Sequence, residues 1–243
     1  MIVSIMQPYL FPYIGYFQLI RESDVFVLHD DIQYVKNGWV NRNRILVNCA
    51  PSMITFPVRS ESHRLSINER RYDLEAKTMS RILRRIEAAY RKAPHFDSVF
   101  PLVEHIMRFD EPNVAAFNMN SLQRIADQLA ITTPFVISSA LEIDHSLRGQ
   151  RRVISLCEAL SATQYINLIG GVELYRGDDF ASHQITLSFL EARPTAYPQF
   201  ACEFVPYLSI IDVMMFNDRD RIVELLGDFQ LRDGAKMRAR TDN

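Results

Sequence analysis

The side chains with the greatest chemical potential crowd into residues 1–45, MIVSIMQPYLFPYIGYFQLIRESDVFVLHDDIQYVKNGWVNRNRI. Directly after an apolar run, LHDDIQY sets His29 beside two adjacent carboxylates, Asp30 and Asp31. A carboxylate there can take a proton or orient a ligand's amine and hydroxyls, and a histidine can shuttle a proton. Neighbours in a strand point to opposite faces, so one aspartate is expected to face a site and the other to cap a turn. Asp31 ranks ahead of Asp30 and His29 as the base. No other Asp, Glu or His cluster stands at close spacing, so no metal is expected.

A second group follows in QYVKNGWVNRNR. Gln33, Tyr34, Lys36, Trp39, Asn41, Arg42 and Asn43 combine apolar planes with amide and guanidinium donors, a mixture suited to a sugar or nucleotide, or else to a buried polar network. A third lies in QPYLFPYIG, where Gln7, Tyr9 and Tyr13 lead into Gly15. A glycine at the start of a helix lets backbone N–H groups approach an anion, although a plain turn with core aromatics would read the same way. Later pieces are Asn167, Gly170 and Gly171 in YINLIGG, and Asp212 beside Ser209 in PYLSIID, which reads first as a helix cap. There is no dinucleotide fingerprint, P-loop or G-x-S-x-G elbow. His63, His95, His105, His145 and His183 are isolated and read as surface or structural residues.

Ile2–Met6 reads as a strand, Gly15 opens a short helix over Tyr16–Ile20, and Val25–Leu28 is a second strand. That is the opening of an α/β fold with parallel strands. Further strands are expected at 53–58, 134–139, 164–169 and 185–190. Helices are expected over the second half of 59–94, then 99–108, 113–129, from about 150, 208–216 and 221–226. Residues 73–130 form a helical insert, and the tail after Gly227 reads as loose. Without a linker, the 243 residues are expected to form one domain. In such sheets ligands sit at the carboxyl ends of strands, which points to Gln7–Gly15, His29–Gln33 and Asn167–Gly171.

Lys plus Arg number 27 against 29 Asp plus Glu, a net charge of -2, so no global field steers DNA or anionic membrane. The ten basic residues in 59–94 read as a solvated face rather than a polyanion patch. Cys49, Cys157 and Cys202 are far apart and read as reduced thiols. IVSIM lacks a basic leader and no apolar run spans a bilayer, so a soluble cytoplasmic protein without membrane insertion is expected.

The stretches MQPYLFPYIGYFQLI, FVLHDDIQYVKNGWVNRNRI, YRKAP, QYINLIGGVELY and PYLSIIDVMMFN resemble the WbqC-like family of surface-polysaccharide (O-antigen) proteins. That resemblance implies a transferase role, with an aminoacyl group of the glycine type, or a small acyl group, joined to the amine of a nucleotide-linked amino sugar. It implies an activated donor, ATP or another, and other polysaccharide-biosynthesis enzymes as partners. It assigns no catalytic residues. A sugar-nucleotide-binding protein without turnover is the alternative. The opening unit also resembles adenylyl-transferring enzymes with the HIGH-type signature, which implies a Rossmann-like nucleotidyltransferase fold, but Tyr9, Phe11 and Tyr16 stand where histidines would be.

Overall fold

The computed structural model of the chain describes residues 1–237. Its first strand, β1 (Ile2–Met6), leads through a proline-stiffened turn into α1 (Ile14–Arg21), and β2 (Val25–Leu28) returns parallel to β1. An antiparallel hairpin follows, β3 (Arg42–Val47) with β4 (Ala50–Thr55). Its two-residue turn, Asn48 and Cys49, has positive φ at both positions, 49° and 61°, which matches the turn's twist to that of the strands. Three helices come next, α2 (Ala76–Tyr90), α3 (Phe96–Met107) and α4 (Val114–Gln128), the last capped by Asn113 accepting from the Ala116 amide.

The chain re-enters the sheet at β5 (Phe135–Ile137), then runs through α5 (Gly149–Ala159), β6 (Gln164–Leu168), α6 (Gly177–Ser182) and β7 (Thr186–Ala192). It closes with α7 (Ile210–Phe216), α8 (Arg219–Leu226) and β8 (Phe229–Asp233). The sheet order is β5-β2-β1-β6-β7-β8, with all pairs parallel except β7 with β8. This is a Rossmann-like α/β architecture, a mostly parallel sheet flanked by helices. Its order reverses between β1 and β6, so the crevice rule points at the carboxyl ends of those strands and their neighbours.

The strands are apolar on both faces because helices cover both. Val3, Ile5, Val27, Tyr165, Leu187 and Phe189 pack against α5 and α6. The alternate residues Phe26, Leu28, Ile166, Leu168 and Leu190 belong to the larger core that α1, α2, α3, α4, α7 and α8 share. Helix α2 contributes Ile82, Ile86 and Tyr90 at four-residue spacing, its buried stripe.

Two expectations are overturned. The tail after Gly227 is not loose up to residue 233: Phe229–Asp233 pairs antiparallel with β7, and Phe229 packs against the larger core, a single apolar anchor too small to be conspicuous in sequence. Residues 238–243 of that tail lie outside the described residues. Nor are the three cysteines all free thiols. Cys49 and Cys202 form a disulfide with Cα atoms 5.3 Å apart, joining the β3–β4 turn to the loop before α7 across 153 residues of sequence, a separation that hides their proximity. Cys157 alone is free, and burial pushes its thiol up to about 12. Because the bridge closes so long a loop, Cys49→Ser with Cys202→Ser should lower the unfolding free energy by about 5 kcal/mol. Urea denaturation with and without reductant checks this, and equal midpoints for the oxidised and reduced protein would contradict it.

Candidate functional site

Where β2 and β5 end side by side, four segments meet. Asp30 is buried, and its carboxylate accepts from the Ser139 amide (3.0 Å), the Ser139 hydroxyl (2.7 Å) and the Asn68 side-chain amide (2.9 Å). It thereby fastens the end of β2 to the 3-10 turn after β5 and to a second 3-10 turn at Ile67–Glu69. The Ser138 hydroxyl lies 3.0 Å from Asp30 and 2.6 Å from Asp31. It has one proton, so it donates to one carboxylate at a time, and the shorter contact is to Asp31. The two aspartates therefore share a serine rather than dividing between two faces. Asp30 is the anchor and Asp31 the more accessible, its side chain 15% exposed.

Asp31 also accepts from the Arg152 guanidinium, and its Oδ2 lies 2.9 Å from His145 Nδ1. Burial would raise its carboxyl, but the Ser138 and Arg152 hydrogen bonds, the guanidinium charge and the His145 bond outweigh it and hold it below the ordinary carboxylate range. A carboxylate answered by a hydroxyl and a guanidinium is a weak proton acceptor, so Asp31 fits the orienting role better than that of a lone base. Arg152, only 2% exposed, also donates to His29 Nε2 (3.0 Å) and to the His145 carbonyl (3.0 Å), and its Nη2 lies 3.3 Å from His145 Nδ1. Since Arg152 donates to His29 Nε2, the hydrogen of His29 sits on Nδ1. Burial and the adjacent guanidinium push His29 down to about 4, so it is a neutral structural acceptor near pH 7 rather than a proton shuttle.

The segment 33–44 separates two concavities. On one side Gln33, Tyr34, Lys36, Asn41 and Arg42 line a cleft of about 760 Å3, with Arg70 at its wall. On the other, Tyr9, Tyr13, Trp39, Asn43, Arg44 and Tyr207 form an aromatic cup of about 220 Å3, with the Arg44 guanidinium 5.5 Å from the centre of the Trp39 ring. Trp39 and Tyr207 are 39% and 47% exposed, large rings open to a ligand's flat face.

Several expected ligand groups are committed to the protein's own backbone. Asn41 donates to the Phe56 carbonyl and accepts from the Tyr34 hydroxyl. Asn43 donates to the Leu10 and Phe11 carbonyls and accepts from the Arg44 amide. Arg42 donates to the carbonyls of Gly38 and Asn37. Of the two alternatives for this run, the buried network therefore describes both asparagines. Gly15 does not cradle an anion: a Cβ there would overlap the Tyr13 ring, which lies over the start of α1. Gly171 makes room for Asn167, whose amide nitrogen would be 2.5 Å from a Cβ at that position, while nothing crowds Gly170. Asn167 is buried and accepts from the Leu168 amide. Gln7 offers its carbonyl to the Tyr16 hydroxyl at 2.7 Å. Asp212 is fully buried and beyond a ligand's reach. It accepts from Tyr90, Tyr197 and Gln199 at 2.9, 2.7 and 2.6 Å, and burial raises its carboxyl despite those donors. Ser209 does cap α7, as its position suggested.

Sequence reasoning missed His145, Arg152, Ser138, Arg70 and Tyr207. Arg152 left a trace, since it falls four residues before Leu156 on the apolar stripe of α5, where a charged residue is out of place. His145 and Arg70 left none, because only the fold brings them to their partners.

A model of the WbqC-like protein family matches residues 7–224, the whole span in which these groups lie. The chain belongs to the WbqC-like family. It is 30% identical over 218 residues to the uncharacterized protein Rv1507c of Mycobacterium tuberculosis, covering 88% of this chain and 93% of that relative. No solved structure matches. Among the described residues of this WbqC-like chain, no helix is long and apolar enough to cross a membrane.

The half-buried His29 at the strand ends sets a pH dependence. Its folded value, about 4, lies below its unfolded value near 6.5, so the unfolded chain binds more protons between the two and stability falls as pH drops through that window. Above pH 6.5 the contribution is complete. From pH 7 to pH 5 the protein should lose on the order of 1.5 kcal/mol through this group. His29→Gln, which keeps an acceptor for Arg152, should flatten the loss. Urea midpoints at the two pH values check this, and an equal loss in both proteins would contradict it.

Proposed function

We propose that this WbqC-like chain transfers an aminoacyl group of the glycine type, or a small acyl group, to the amine of a nucleotide-linked amino sugar in surface-polysaccharide biosynthesis. The observation that carries this reading is the pairing of Asp31 with His145 at the carboxyl ends of β2 and β5. His145 is half exposed, its Nε2 faces the Leu141 carbonyl at 3.1 Å, and its Nδ1 faces Asp31 Oδ2 at 2.9 Å. A carbonyl only accepts, so Nε2 carries hydrogen, and one further proton fits between Nδ1 and the carboxylate.

Amide formation needs such a place. The sugar amine attacks the acyl carbonyl of an activated donor, the C–N bond forms, the donor's leaving group departs with its electron pair, and the nitrogen gives up a proton. That proton would pass to the Asp31–His145 pair and come to rest between Oδ2 and Nδ1, and Arg152 fixes Asp31. Ser138 keeps Asp31 aimed by its short hydrogen bond. The aromatic cup supplies apolar planes for the base or the sugar, and the cleft supplies cations for phosphate. ATP or another activated acyl donor provides the leaving group.

A second reading, a protein that holds the sugar nucleotide without turnover, is favoured by the saturation of Asp31 with donors. Product masses from purified protein incubated with a nucleotide-linked amino sugar, glycine and ATP separate the two. Glycylated sugar is expected, and His145→Gln should slow its formation about 100-fold while leaving the melting temperature nearly unchanged. Undiminished turnover in His145→Gln would remove the proposed proton path. Ligand binding without product from any activated donor would leave the second reading.

A further inference from the structure

We propose that the cleft between residues 33–42 and 58–70 is a diphosphate site whose fixed guanidinium is Arg70. This deepens the reading above, on which only the identity of the ligand's sugar and acyl parts rests. The walls of the cleft carry Lys36, Arg42, Arg59 and Arg70 against Glu61. Among the described residues, none of these four cations lies within 4.0 Å of a carboxylate oxygen. Glu61 meets Arg70 only through its backbone carbonyl. In a chain of net charge -2 this is a local concentration of one sign, not the spill-over of a basic protein.

Arg70 distinguishes the cleft from a solvated basic face. It is 5% exposed, and its guanidinium lies 4.9 Å from the centre of the Tyr34 ring. Nη1 makes one hydrogen bond to the protein, a long one of 3.3 Å, while Nε is sealed from solvent with no partner among the described residues. Nη2 makes no bond to the described residues, so the Nη1–Nη2 end of the fork, with its single long bond, is the part a ligand can reach. Taking a guanidinium out of water without a counter-ion is strongly unfavourable, and a charged group is retained in such a position when a partner of opposite charge completes it. A planar fork whose Nη1–Nη2 end is open matches two oxygens of one phosphate, and cation stacking on Tyr34 keeps it in plane. Arg42, tied to the carbonyls of Asn37 and Gly38, fixes a second charge at the rim. Lys36 and Arg59 are exposed on long stems and can close on the neighbouring phosphate as mobile charges. Four cations against two adjacent phosphates suit a diphosphate better than a single carboxylate.

Calorimetric titration with inorganic pyrophosphate, and separately with uridine diphosphate, tests the assignment. Wild type should bind pyrophosphate with an affinity that falls as salt rises. Arg70→Met should weaken binding about tenfold or more, and Arg70→Lys should restore part of it, since a point charge replaces the fork. Tighter binding of uridine diphosphate would add the nucleoside to the site, and equal binding would mean that the phosphates alone are read; the diphosphate assignment stands in both cases. Should Arg70→Met fail to fold, the exposed pair Lys36→Ala with Arg59→Ala decides, with a loss of about threefold or more expected. No binding of either probe by wild type, or unchanged affinity in Arg70→Met or in the exposed pair, would overturn the proposal. Pyrophosphate binding without any acylated product would leave this site standing and overturn only the amide chemistry.

Discussion

The strand-end site depends on one buried guanidinium. Arg152 leaves α5 on its apolar side and reaches His29, Asp31 and the His145 backbone together. A buried arginine is tolerable only when its donors are satisfied, and a buried carboxylate only when a donor answers it. The two requirements are met by the same contact, so neither residue can be altered without stranding the other. Helix α5 is thereby locked against the end of β2, and Asp30, through Ser139 and Asn68, locks β2 to the turns that follow β5 and precede Arg70. The neutral tautomer of His29 follows from the same contact, as does the orientation of His145.

A parallel logic shapes the aromatic cup. Its outer wall, Tyr207, belongs to the loop before α7, which has no strand or helix of its own to hold it. Three fastenings do so instead: the Cys49–Cys202 bridge, the Asp212 carboxylate with Tyr197 and Gln199, and Ser209, whose hydroxyl donates to the Phe11 carbonyl. Phe11 adopts a positive φ of 43°, and its carbonyl is also taken by Asn43. Residues that resemble ligand groups in sequence therefore work here as fasteners. They hold exposed rings in place at a surface where backbone alone would not, and they leave the reacting groups to the strand ends.

The α/β class was legible because β1 and β2 are continuous apolar runs punctuated by Pro8 and by Asp30 and Asp31, and α2 carries a clear 3.6-residue stripe. The strand-end rule also pointed to His29–Gln33. What was not legible follows from sequence distance. Asp31 shows a carboxylate, but whether it is a free base or a saturated anchor depends on Ser138, His145 and Arg152, all more than 100 residues away. Asn41 and Asn43 alternate with Arg42 and Arg44, and the alternation itself was the clue: in a strand, period two sends the asparagines inward and the arginines outward. Asp212 looked like one more acidic candidate until three donors were found around it. The disulfide was hidden for the same reason as the Asp31 network.

The central claim is that Arg152 ties the strand ends together by donating to a neutral His29 while holding Asp31 ionised. Long-range nitrogen–proton correlation spectra of the imidazoles at pH 6 test it most directly. The account predicts that His29 is neutral with its hydrogen on Nδ1, since the guanidinium occupies Nε2. A protonated His29 at that pH, or a neutral ring with its hydrogen on Nε2, would contradict the account.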